Sequence, residues 1–236
     1  MKTVYHAAES RGHANHGWLD SNHTFSFAGY YNPDRMRFGV LRVLNDDRVA
    51  GGGGFSTHPH DNMEIISIPL QGDLQHMDSM SNVAVIREGD VQVMSAGTGV
   101  FHSEYNKNKD KEVHFLQIWV FPNKRNVEPR YDQISLADLH KSNELFQILS
   151  PSSEDEGVWI HQDAWFSMGD YTEETTQKYT LNKADNGLYL FVIEGSVTVG
   201  DQTLSRRDGM GISETASTDF TASAGSKVLL MEVPMN

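Results

Sequence analysis

Ile68-Pro69-Leu70-Gln71-Gly72-Asp73-Leu74 and Val192-Ile193-Glu194-Gly195-Ser196-Val197 are the two stretches on which the fold turns. Each reads as an apolar run, a glycine where the chain reverses, and a returning run, which is the pattern of a strand, a turn and a second strand. The correspondence continues outward. Ile86-Arg87-Glu88-Gly89-Asp90-Val91 is echoed by Leu204-Ser205-Arg206-Arg207-Asp208-Gly209-Met210, and the run from His114 to Val120 by that from Lys227 to Val233. Around the first copy, β-favouring runs at 38–44, 64–70, 83–86, 91–94 and 113–121 are separated by turn residues, among them Asn45-Asp46-Asp47 and Glu88-Gly89-Asp90. Runs at 179–181, 188–193, 196–199, 210–213 and 227–233 repeat the arrangement. Short strands broken this often predict an all-β sandwich or barrel, and the likeness of the two sets predicts that the barrel is duplicated.

Between the sets, residues 122–157 are largely polar and carry Pro122, Pro129 and Pro151, so they read as an interdomain connection with little regular structure. Ser135-Leu136-Ala137-Asp138 has capping-box spacing, and Leu136, Leu139 and His140 would share one face of a short linking helix. The expected division is a first domain over 1–132 and, over 133–236, the linker with a second domain.

Composition narrows the chemistry. Lys and Arg total 19 against 32 Asp and Glu, a net charge of -13, which repels phosphate backbones and anionic lipid, so no direct nucleic acid or membrane partner is expected. With no Cys, thiolate catalysis, disulfides and thiolate metal sites are excluded, and any metal must use His, carboxylate or backbone oxygen. Met1 to Ser10 lacks the apolar core of a signal peptide and no apolar run is long enough to span a bilayer, so a cytoplasmic protein, a monomer by default, is expected.

Thr57-His58-Pro59-His60 is the sharpest chemical signal. In a strand, residues two apart project from one face, so both imidazoles would point the same way, separated by roughly two rises of about 3.3 Å. His102-Ser103-Glu104 repeats that spacing. If the two segments face each other inside a barrel, His58, His60, His102 and Glu104 converge on one ion. Imidazole nitrogen with a carboxylate suits Fe(II), and also Mn, Co, Ni, Cu or Zn, and is poor for Ca or Mg. Four protein ligands around an octahedral metal leave two positions open, as a catalytic site requires.

These residues resemble the two metal motifs of the cupin superfamily. The first runs Gly52, His58, His60, Glu64, with Gly72 one residue later than is usual; the second runs from Gly89 through Gly97 to His102 and Asn106, with Ser95 where cupins usually have Pro and two extra residues before the His. Together with Met94-Ser95-Ala96-Gly97 and Val100-Phe101-His102-Ser103-Glu104, these departures resemble the pirin family specifically. His16-Gly17-Trp18-Leu19, the stretch from His23 to Asp34 and that from Leu41 to Asp47 also look like pirin N-terminal segments.

The resemblance implies two tandem cupin barrels of jelly-roll type, with one divalent transition metal, iron favoured, held in the first by His58, His60, His102 and Glu104. Glu64, the usual cupin carboxylate ligand, would then stand just outside the ligand set or substitute within it. Bacterial pirin-like proteins include quercetin 2,3-dioxygenases, which open the central ring of a flavonol with O2 and release carbon monoxide. That implies a flavonol or similar aromatic enol as substrate, with Glu104 taking the proton of its 3-hydroxyl. The alternative implied by eukaryotic pirins is a non-catalytic, metal-dependent regulatory module.

Other histidines are expected to be structural: His76 hydrogen-bonded near the metal, His114 packed, and His13 and His16 without the carboxylates a second ion would need. His6, His23, His140 and His161 have no spaced partner. In the second repeat the positions matching His58 and His60 fall on Leu181 and Lys183 and no His follows Gly209, so no equivalent metal site is expected there.

Overall fold

Gly72 and Gly195, the pivots of the two related segments, adopt φ of 75° and 76° in the computed structural model, which describes residues 1–236. A Cβ-bearing residue would be strained at both. Neither glycine makes the hairpin that its sequence suggests. Glu64–Gln71 lies in a seven-stranded sheet and Leu74–Asp78, just past Gly72, in a four-stranded sheet; Asn186–Glu194 and Ser196–Val199 are divided in the same way around Gly195. Each glycine thus hands the chain from one layer of a barrel to the other, as jelly-roll closure requires.

The large sheet of the first barrel runs, in spatial order, Arg130–Ser135, Asp90–Ser95, Glu64–Gln71, Val113–Val120, Leu41–Val49, Leu19–His23 and Gly12–Asn15, every neighbouring pair antiparallel. Opposite it lie Gly54–His60, Val100–Asn106, Leu74–Asp78 and Val83–Ile86. The second barrel repeats the plan, with a large sheet centred on Asn186–Glu194 and Ser226–Pro234 and a small sheet of Thr175–Thr180, Ser217–Ala222, Ser196–Val199 and Gln202–Ser205. The place held by Arg130–Ser135 in the first barrel is filled in the second by Lys2–His6, which pairs with Gly209–Ser213. The chain therefore begins on the second barrel before crossing to build the first.

The two large sheets pack face to face through 25 buried residues drawn from both barrels, including Leu44, Ile66, Ile118, Phe166, Phe191 and Leu229. Beside this apolar seam, Asp46 is buried against Arg11 at 3.2 Å, Arg207 at 3.5 Å and the ring of His114, which ties the N-terminal segment and both barrels together.

The helix expected at Ser135 does not form. Ser135 Oγ accepts from the Ala137 amide at 3.3 Å, as a cap would, but the backbone closes only one turn, His140 N–H to Leu136 C=O at 2.9 Å. One turn does not offset the cost of helix nucleation, and burial of Leu136 in the seam fixes the segment instead.

The two barrels differ inside. The second is filled by 14 buried residues, among them Tyr171, Leu190 and Phe220. In the first, the apolar interior is split into clusters of 6 and 4 residues, and polar side chains occupy the space between.

Candidate metal centre

Gly54–His60 pairs antiparallel with Val100–Asn106, and His58 stands directly opposite His102. Alternation then projects His60 on the same side as His58, and the three rings meet with centroids 4.5 to 4.9 Å apart. The ladder slips between His102 and Glu104, leaving Glu104 opposite Phe55. A bulge of this kind bends the strand and re-aims the side chain beyond it. Glycine at position 54 permits the close approach, since a Cβ there would lie 2.4 Å from the Tyr105 ring and 2.5 Å from Glu104 O.

His58 Nδ1–H donates to Ser56 C=O at 2.8 Å, so in the neutral ring Nε2 carries the lone pair, and that atom lies 3.0 Å from His102 Nε2. Neighbouring ligands about 2.1 Å from one ion at right angles are separated by about 3.0 Å. Burial, reinforced by the His58 charge, pulls His60 down to about 4 and His102 to about 2, so both stay neutral and available as donors near neutral pH. His102 Nδ1 is buried without a partner. A transition metal suits this donor set.

Glu104 is buried and gripped from two sides. Ser67 Oγ donates to Oε1 at 3.0 Å and Gln117 Nε2 to Oε2 at 2.7 Å. Burial pushes its carboxyl up to about 7 against the pull of those two donors. Ligand-capable atoms of His58, His60 and His102 form one group within 4.8 Å of one another, and those of His76, His102 and Glu104 form a second, with His102 common to both. His76 faces Glu104 across the Leu74–Asp78 pairing, and its Nε2 is bound to Asp78 Oδ2 at 3.0 Å. It is the hydrogen-bonded histidine that the sequence suggests.

Glu64 belongs to neither group, which corrects the expectation that it stands beside the metal. Alternation turns Ile65 toward the cleft and Glu64 the other way, where Ser95 Oγ donates to it at 2.6 Å. His114 is packed on Asp46, and His13 pairs with Asp20 at 3.0 Å on the surface.

The imidazoles open onto a cleft of about 780 Å³. Two edge-to-face aromatic pairs line it: Trp18 with Phe55 at 5.2 Å and Phe27 with Trp119 at 5.3 Å, Trp119 also standing 4.9 Å from His60. None of these wall residues, nor Ser67 and Gln117, is marked by sequence spacing. Their only signal is the pirin-like N-terminal segments, which supply Trp18 and Phe27.

A family model described as Pirin matches residues 4–120, and one described as Quercetinase C-terminal cupin domain matches residues 147–233. The chain is 41% identical over 231 residues to quercetin 2,3-dioxygenase of Escherichia coli K12, with 96% of each chain covered, and 37% identical to a pirin-like protein of Caulobacter vibrioides, with 94% and 95% covered. It belongs to the pirin family. Among pirin structures, YhhW of Escherichia coli superposes with a TM-score of 0.94 at 39% identity over 99% of this chain and 98% of that one. The bacterial pirin YhhW in complex with nickel(II) gives 0.93 at 38% identity over 99% of both. Hazelnut vicilin, 12% identical with a TM-score of 0.69 over 97% of this chain and 85% of its own, shares the fold alone.

Proposed function

We propose that this pirin holds one divalent transition metal through His58, His60, His102 and Glu104 in the first barrel, whose strands run from Gly12 to Ser135, and opens a flavonol ring with O2, releasing carbon monoxide. The observation that carries the proposal is the meeting of three imidazoles at the floor of an aromatic-walled cleft, with a buried carboxyl beside them. The relatives named quercetin 2,3-dioxygenase and the nickel(II) complex of a pirin support it. Iron is favoured by the family resemblance, and nickel fits the same donors. When bound, the metal supplies Lewis acidity toward the enol oxygen and a route for electrons to dioxygen.

The chain's own part is binding and proton handling. Trp18, Phe55, Phe27 and Trp119 take the planar ring system and exclude water. Glu104, as a carboxylate, accepts the 3-hydroxyl proton, and Ser67 and Gln117 hold its two oxygens in place for that transfer. Ring opening adds both atoms of O2 to the flavonol and expels one carbon as CO. Two measurements test this. Metal-loaded protein given quercetin and O2 should consume both and release CO, whereas no turnover on any enolic aromatic supports the binding-module alternative. Glu104→Gln, once shown to retain metal, should lose formation of the flavonol anion under nitrogen; unchanged deprotonation rules Glu104 out as the base.

A further inference from the structure

The inner face of the first barrel's large sheet carries a polar row that Glu104 uses only in part. Cross-strand register sets Gln92 opposite Ser67, Ser67 opposite Gln117, Gln117 opposite Asn45, and Asn45 opposite His23. Partners in register project to one face, so five polar side chains on five adjacent strands lie in line. The middle of the row grips Glu104. Its far end has no such employment: Asn45 Oδ1 and His23 Nδ1 are buried without a hydrogen-bond partner, and so is Nε1 of Trp119, two residues along from Gln117. All three residues line the cleft. A buried polar atom without a partner costs on the order of 1–3 kcal/mol, so three together on the wall of an open cleft point to a ligand that supplies the missing bonds.

The charge around them is one-sided. No Lys or Arg lines the cleft, whereas two carboxyls do, those of Glu104 and of Asp47, which is hydrogen-bonded by Ser21. Apart from the ion at the imidazoles, an anionic group entering beside Asp47 would meet no Lys or Arg to offset its desolvation.

We propose that Asn45, His23 and Trp119 form a hydroxyl-reading strip that selects uncharged, polyhydroxylated aromatics and rejects their acidic conjugates. Asn45 Oδ1 can only accept, and meets a phenolic O–H; Trp119 Nε1–H can only donate, and meets a substrate oxygen; His23 adds a further donor or acceptor. The proposal rests on the reading of this cleft as the flavonol site, and adds what separates one aromatic from another.

The test is anaerobic binding. Nickel(II)-loaded protein under nitrogen is titrated by tryptophan fluorescence with quercetin, with 3-hydroxyflavone, which keeps the 3-hydroxyl and lacks the others, and with quercetin 3′-sulfate. Quercetin is expected to bind at least about tenfold tighter than either. In Asn45→Leu the preference over 3-hydroxyflavone should shrink below about threefold, with 3-hydroxyflavone affinity unchanged. Equal affinities for the three ligands on the unaltered protein overturn the proposal, as does a folded Asn45→Leu that keeps the full preference. The ligand series needs no variant, so a misfolded substitution leaves the test decisive. Because nothing turns over without oxygen, failure of CO release in air counts against ring opening alone, and flat affinity ratios count against the strip alone.

Discussion

Replacing Glu104 by Gln should stabilise the metal-free protein at high pH and not at low pH. Burial lifts the Glu104 carboxyl from 4.5 to about 7, against the Ser67 and Gln117 hydrogen bonds. A folded pKa above the unfolded one means that the contribution to stability is fully present below about 4.5 and is lost as pH rises through about 7. At pH 8 the buried carboxylate then costs the metal-free fold about 3 kcal/mol relative to its protonated form. Gln keeps the shape and can satisfy one of the two partners directly, so about 1 kcal/mol is lost again through an imperfect hydrogen bond. The net expectation is a gain of about 2 kcal/mol at pH 8 and a loss of about 1 kcal/mol at pH 4.5. Urea unfolding of chelator-treated protein, run for both forms across that range, measures the difference directly, because every other titrating group is shared. A gap between the two proteins that stays constant from pH 4.5 to pH 8 would refute the claim that this carboxyl is buried at an energetic cost.

The same proton governs metal uptake: affinity should climb from pH 5 to about 7 with one proton released per ion from Glu104, then level off, as calorimetry in buffers of different ionisation enthalpy would show. Gln117→Leu, which frees Glu104 Oε2, should weaken metal binding by about 10- to 100-fold in a chelator competition while leaving the fold intact by circular dichroism. Asp46→Ala strands Arg11 and Arg207 in the seam between barrels and should cost about 3–5 kcal/mol in urea unfolding, with no change in metal affinity.

The duplicated barrel is legible because its signals are local. A positive-φ glycine, a short apolar run and a repeat of both need no knowledge of what lies across the sheet, and the topology around Gly72 and Gly195 follows the likeness seen between the two stretches. His58 and His60 are legible for a similar reason, since alternation along one strand puts them together. What the sequence hides depends on register between distant strands. The slip between His102 and Glu104 sets Glu104 across from Phe55 and beside His76, and nothing in His102-Ser103-Glu104 announces a bulge. Gln92, Ser67, Gln117, Asn45 and His23 become a row only once four separate pairings are known. Glu64 misleads because its motif spacing suits a ligand while alternation turns it away from the cleft that Ile65 lines. The linking helix fails because a good cap at Ser135 opens a segment with no second turn to propagate into.

Anomalous scattering from crystals soaked in iron(II) or nickel(II), recorded at the metal's absorption edge, reaches the root of the account. One peak per chain, contacted by His58, His60 and His102 Nε2 and by a Glu104 oxygen, is the predicted result. A peak held by His76 in place of His58 and His60, or no peak after soaking, would contradict it.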